Sequence, residues 1–397
     1  MLGWVLFDFA GTIFSYVVLT RYFNEWIIIE LRQPDLYIGL MSLCVSLALV
    51  LGLPFFGALA DRAGRHKPFL IAFTLVSVAG TALLGVVEGV VIALVVAGIA
   101  IFAFSSAEAQ YHPLLAKVAP PERHGRVSGL AIGVGYIGAL VAVLGLGQLV
   151  TEGENQSAFV PTAALFLAFS LPCFLFVRER GPRGSAGSRR EPFAQLLASL
   201  RDARRAPHGR FLVARFLYVD AIATVIAFMT VYARRTGDFS AGEIDLLLGL
   251  SIVFAVAGAV AAGLLVERLG PKRVVAGTVL GVVLVLLAAG ITGSGPLLWV
   301  AGPLVGVALG SVSASDRVLM LRLIPPERRG EDFGLYALVG KISNGVGPLV
   351  LWGATIWVLT DGLDLVNRFD ASRAAVCVLA GAALAGLLVL RRLPDPR

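Results

Sequence analysis

PPERHGRVSGL, at 120–130, returns 205 residues later as PPERRGEDFGL, at 325–335. Upstream, GALADRAGRHK at 57–67 has a counterpart in GLLVERLGPKR at 263–273, an offset of 206. Two separate strings repeating at nearly one spacing make the chain a tandem of two similar halves. Both strings sit in short polar gaps between apolar runs of about 20 residues, the length that crosses a bilayer. The duplicated unit is therefore membrane-embedded.

Composition agrees. With 57% hydrophobic and 15% charged residues and a mean hydropathy of +0.85, the 397 residues carry too little polar surface to coat a water-soluble globule. A net charge of +7 would suggest nucleic acid in a soluble protein, but here the basic residues fall in the gaps between apolar runs. Nucleic acid is thus excluded as a partner. Cys44, Cys173 and Cys377 each lie inside an apolar run, far apart, so neither a disulfide framework nor a metal-ligand spacing appears, and all three are expected to be core thiols. No basic segment precedes the first apolar run, which reads as a retained helix and not as a cleaved signal.

Twelve runs predict twelve spanning helices, near 3–29, 36–60, 68–87, 90–116, 126–150 and 158–178 in the first half. In the second they lie near 211–235, 242–267, 272–291, 296–321, 332–358 and 371–391, the fourth, tenth and eleventh being the most polar. The fold class is an all-α polytopic membrane protein of two six-helix bundles, 1–178 and 211–397, joined by a linker at 179–210. Of 33 Lys and Arg, 24 occupy the gaps on the side that holds both termini, 5 the opposite gaps and 4 the spans. Basic residues mark the cytoplasmic side, so both termini are expected there. In the linker, Phe193, Leu196, Leu197 and Leu200 share one helical face, with Arg201, Arg204 and Arg205 at its far end. That is either a short amphipathic helix on the cytoplasmic leaflet or simply a tether.

The loop at 57–67 reaches a family. Its Gly57, Leu59, Asp61, Arg62, Gly64 and Arg65 match the hallmark G-x-L-x-D-R-x-G-R-(R/K) between the second and third helices of the major facilitator superfamily, which this chain resembles. The second copy departs, with Glu267 in the acidic position, then Arg268, and Pro271 in the turn. A narrower resemblance, over nearly the whole chain, is to the fungal vacuolar amino-acid effluxers associated with autophagy and their bacterial relatives. It rests on GWVLFDFAGTIFSYVVLTRYF at 3–23, YHPLLAKVAPPERHGRVSGLAIGVGYIG, FLVARFLYVDAIATVIAF and RLIPPERRGEDFGLYALVGKISNGVGP. Phe7, Phe9 and the Gly11–Thr12 pair depart from that family's pattern. The resemblance implies a secondary transporter of a small polar solute, amino acids by analogy, working by alternating access about a cavity. The scarcity of Lys, 4 of 33 basic residues, with the excess of Ala, Gly and Val, suggests a GC-rich prokaryote and thus its plasma membrane.

Two sets of residues are candidates for that work. Asp61, Arg62 and Arg65, with Glu122, Arg126, Glu267, Arg268, Glu327 and Arg328, supply complementary charges for a cytoplasmic latch, while Gly57 and Gly64 permit the turn. Positive-side anchoring alone would explain the basic members but not the acidic ones. The second set is buried and ionisable, since a charge in hydrocarbon costs at least about 2.5 kcal/mol and marks a partner or a pathway. Asp8 is followed at four-residue steps by Thr12 and Tyr16, Asp220 is followed by Thr224 at an offset of 212, and Glu108, Asp316 and Lys341 lie in later runs. A pair from Asp316 or Glu108 to Lys341, Arg215 or Arg21 is expected, and a titratable pair could carry a proton. The partners expected are a small solute, membrane lipid and protons, with a monomeric chain, no metal and no cofactor. An enzyme is not expected, because no phosphate-binding loop, paired-His motif or nucleophile constellation occurs. The alternatives are a membrane sensor or assembly protein of the same fold, or a lipid flippase.

Overall fold

A computed structural model describes residues 1–118, 124–148, 150, 154–179, 201, 206–236, 239–324 and 329–394. The helices follow from the apolar runs, because in lipid only a helix satisfies every backbone N–H and C=O within its own segment. In the first half they are α1 (Leu2–Glu30), α2 (Asp35–Ala63), α3 (Lys67–Leu84), α4 (Val90–Tyr111), α5 (His124–Val141, continued by a π-helical turn Ala142–Leu146) and α6 (Phe159–Phe176). The second half repeats them as α7 (Pro207–Thr236), α8 (Ala241–Leu269), α9 (Pro271–Thr292), α10 (Gly295–Leu323), α11 (Arg329–Val346, extended through π-helical turns to Gly362) and α12 (Arg368–Arg391). Eleven helices among the described residues are long and apolar enough to cross a membrane. The fourth, tenth and eleventh runs, the most polar in composition, are among them.

The chain divides into two compact units, one of Met1–Arg32 and Cys44–Pro192, the other of Gln33–Leu43 and Phe193–Arg397. In the first unit α1 packs on α5 and α6, and α3 on α4 and α6. Its core is aromatic: Trp4 stacks on Tyr111 with centroids 4.5 Å apart, and Phe14 meets Phe104 and Phe166. The stack is tied twice, Trp4 Nε1 donating to the Tyr111 carbonyl at 3.2 Å and Tyr111 OH to the Trp4 carbonyl at 3.0 Å. In the second unit α7 packs on α12 and α11, and α8 on α10. There Gly306 and Gly310 of α10 lie so close to α8 that a Cβ would strike the carbonyls of Ser251 and Ala255.

The repeated loops share a backbone device. Gly64 closes α2 at φ +63° and Gly270, 206 residues later, closes α8 at φ +83°, conformations that cost a side chain energy and Gly little. Pro271 of the divergent second loop then occupies the first position of α9, where its missing N–H is no loss. In the first loop that helix start is capped instead by Glu179, whose carboxylate accepts from the N–H groups of His66 (2.8 Å) and Lys67 (3.0 Å). One thiol departs from expectation: Cys173 is buried and Cys377 half-buried, but Cys44 is exposed, because its side of α2 faces outward, where an apolar run meets lipid.

Candidate functional site

The first unit holds a cavity of about 100 Å³ between α1 and α4, lined by Phe7, Asp8, Gly11, Thr12, Ser15, Phe104, Glu108 and Tyr111. The helical period explains the lining. Asp8, Thr12 and Ser15 recur at steps of four and three, so they share one face of α1. Glu108 and Tyr111 are likewise three apart on α4. Small Gly11 leaves the space, for a Cβ there would stand 3.1 Å from the Phe104 ring. Two carboxyls, two hydroxyls and three aromatic faces therefore converge on one concavity. Thr12 Oγ1 donates to the Asp8 carbonyl at 2.8 Å, an ordinary bond for a helical Thr.

Of the residues singled out in the sequence, Asp8, Thr12 and Glu108 thus come together. Tyr16 does not join them. It is buried beside Tyr22, ring edge to face with centroids 6.5 Å apart. Asp316 sits in a separate cluster of the second unit, where Tyr218 OH donates to its Oδ1 at 2.7 Å and Arg215 approaches Oδ2 at 3.2 Å. Arg215 also lies over the Tyr336 ring at 3.8 Å and donates to the Tyr336 carbonyl at 3.1 Å. The pairing of Asp316 with Arg215 is one of those expected, and Lys341 is half-buried on α11. Arg21, by contrast, is paired within its own helix, with Glu25 at 2.5 Å, both side chains at most 3% exposed.

Asp220 and Thr224 lie outside both clusters, packed against α11 at Gly347. Gly57, expected to permit the turn, instead lies half-buried inside α2, and the turn begins only at Gly64; Arg62, Arg65, Glu267 and Arg268 are exposed. Glu122, Glu327 and Arg328 fall outside the described residues, as do the side chains of Asp61 and Arg126 and nearly all of the 179–210 linker.

Sequence reasoning missed one site. Asp35, at the start of α2, accepts from Arg235 NH1 (3.0 Å), Arg235 NH2 (2.6 Å) and Trp352 Nε1 (2.8 Å), while Arg235 NH1 also reaches Ser372 Oγ at 2.7 Å. Asp35 and Arg235 are separated by 200 residues, and each stands at the end of an apolar run where a charge draws no notice. Nothing in the spacing could have paired them. Among the described residues no group of three or more His, Cys, Asp or Glu side chains could hold a metal ion.

Known proteins resemble the chain at three levels. The uncharacterized MFS-type transporter YxiO of Bacillus subtilis is 27% identical over 378 residues, 88% of this chain and 86% of that protein. Autophagy-related protein 22-1 of Neosartorya fischeri is 29% identical over 293 residues, 64% of this chain but only 47% of that protein. The crystal structure of nucleoside transporter NupG matches with a TM-score of 0.80 over 99% of this chain and 98% of that one, at 14% identity, a likeness of fold alone. Twelve helices in a duplicated pattern, the 57–67 hallmark and a family model matched over residues 2–348 lead to one assignment: the chain belongs to the Major Facilitator Superfamily, whose members are transporters and not enzymes.

Proposed function

We propose that this protein moves a small solute bearing a cationic group, an amino acid being the favoured class, and that Asp8 and Glu108 bind that group or the coupling proton. The observation that carries the reading is the cavity between α1 and α4. Its volume, about 100 Å³, is well above the ~10–15 Å³ that a single water requires, so it has room for an ammonium group or a hydrated proton. Two carboxyls supply the charge complement. The faces of Phe7, Phe104 and Tyr111 supply a surface that attracts cations through the ring quadrupole. The resemblance to the autophagy-associated effluxers supports amino acids. The excess of Lys and Arg on one side supports cytoplasmic termini.

Uptake into reconstituted vesicles tests this, with panels of amino acids, sugars and fluorescent lipids, each with and without a pH gradient. An amino acid should accumulate under a gradient, and Asp8→Asn or Glu108→Gln should abolish accumulation while sparing exchange, since a missing titration step uncouples the cycle without closing the path. Lipid movement alone would make the protein a flippase, and no movement of any probe would favour a sensor. Either outcome overturns the proposal, as would unchanged gradient-driven accumulation in both variants.

A further inference from the structure

The walls of the α1–α4 cavity are of two kinds. Asp8 and Glu108 bring carboxyls, while Phe7, Phe104 and Tyr111 bring carbon. Hydrogen-bond donors are few among them. Thr12 gives its hydroxyl proton to the Asp8 carbonyl at 2.8 Å and Tyr111 gives its own to the Trp4 carbonyl at 3.0 Å, so both are turned onto backbone. No basic side chain is part of the lining. The rings hold one another in place: Phe104 packs on Phe14 at 4.6 Å and on Phe166 at 6.0 Å, and Phe7 stacks on Tyr111 at 4.9 Å. A ligand therefore meets an aromatic wall that is formed before it arrives.

Size separates the cations that such walls attract. About 100 Å³ is room for a group of several heavy atoms, well above the ~10–15 Å³ that one water needs. An unsubstituted ammonium, drawn against the carboxyls, would leave the ring side without contact, and a gap there forfeits dispersion energy from every facing atom. Methyl groups on the nitrogen fill that side. They also carry positive charge to the rings, the arrangement by which aromatic cages recognise quaternary ammonium. Gly11 makes the room. A Cβ at this position would stand 3.1 Å from Phe104 Cε2 and 3.3 Å from Cζ, inside the ~3.5–4.0 Å at which two carbons attract best. Even one methyl on α1 would thus compete for the space beside the ring.

We propose that the group this cavity receives is the methylated ammonium of an N-methylated amino acid, and that Gly11, by leaving the space beside Phe104 open, selects it over the unmethylated form. This rests on Asp8 and Glu108 being the cation site of the proposed function, and adds which cation they take and what decides it. A choline headgroup carries the same chemistry on a lipid, and the two sources are separated by titration.

Glycine, N-methylglycine, N,N-dimethylglycine and N,N,N-trimethylglycine differ only in methyl count. Titration calorimetry of these amino acids against the full chain, purified in a maltoside detergent, should show affinity rising along the series, by about tenfold from first to last. That ratio is about 1.4 kcal/mol, within the range of a desolvated cation over aromatic rings. Gly11→Ala should bring the ratio to about one, and so should Phe104→Leu, which keeps an apolar side chain but removes the ring quadrupole. Failure of trimethylglycine to bind, glycine bound as tightly as trimethylglycine, or a ratio unmoved in both variants overturns the proposal. The cation site itself survives that result if Asp8→Asn or Glu108→Gln still weakens whichever amino acid binds. Binding that neither carboxyl variant alters removes the cation site, and the proposal with it. Short-chain phosphatidylcholine, titrated below its micellar concentration, should not displace trimethylglycine; binding of the lipid without the amino acids would assign the cavity to a headgroup and overturn the free solute. If Gly11→Ala does not fold, the methyl series in the parent and in Phe104→Leu still decides the matter.

Discussion

Replacing Asp35 by Ala should cost the second unit about 4 kcal/mol. The figure follows from what the substitution leaves behind. Asp35 and Arg235 are 1% and 8% exposed, and breaking a buried pair by removing one member costs about 3–5 kcal/mol, chiefly because the other charge stays buried. Arg235 would keep only Ser372 Oγ, and Trp352 Nε1 would lose its acceptor, a penalty of about 1–3 kcal/mol that overlaps the first. Trp352 cannot turn away to find another, since its ring stacks on Phe228 at 4.9 Å and is 1% exposed. The origin of the loss makes a second substitution informative. With Arg235→Leu added, the stranded charge disappears and about half of the loss should return. Denaturant unfolding in detergent, followed by circular dichroism for the parent, both single variants and the double variant, gives the full cycle. If Asp35→Ala lies within about 1 kcal/mol of the parent, or the double variant is no more stable than Asp35→Ala, a buried and interacting pair is the wrong description.

Two further outcomes follow from the packing and the charge bias. Gly310→Ala should destabilise by about 1–3 kcal/mol or prevent folding, because the new methyl meets the Ala255 backbone, which cannot yield as a side chain would. Gly281→Ala, which meets nothing within 4 Å, should be neutral or slightly stabilising, and thermal melts of the two in detergent compare them directly. In a background without native cysteines, Glu88→Cys, at the α3–α4 turn, should react with a membrane-impermeant thiol reagent in intact cells, while Arg268→Cys, in the last turn of α8, should not. The reverse pattern would invert the expected orientation.

How far these features were legible in the sequence depended on the range over which each is encoded. The spans and the turn at Gly64 were readable, because length, apolarity and a loop motif are local, but Gly57 of the same motif proved helical. That Asp8 and Thr12 share a face was readable from period alone. Which neighbour that face meets was not, since a helical stripe carries no information on what packs against it. Asp220 and Thr224 repeat the Asp8 and Thr12 pattern, yet Asp220 accepts from the backbone of α11 at Gly347, a partner the pattern does not announce. The π-helical turns had no sequence signal beyond Pro348. Asp35, Arg235 and Trp352 assemble from three distant segments, and only the folded chain brings them together.

The bond between Asp220 and Gly347 also sets an order of events during synthesis. Its two ends are 127 residues apart. At about 5–20 residues per second, a ribosome that has just delivered Asp220 takes about 6–25 s more to deliver Gly347. Throughout that interval α7 carries a carboxyl in mid-helix without its partner, a residue type that insertion measurements penalise by about 2.5–3.5 kcal/mol at the helix centre. This seventh helix should therefore linger at the translocon, or leave it poorly seated, until the eleventh emerges. Nascent chains truncated before Gly347 should be the ones that quality-control proteases remove.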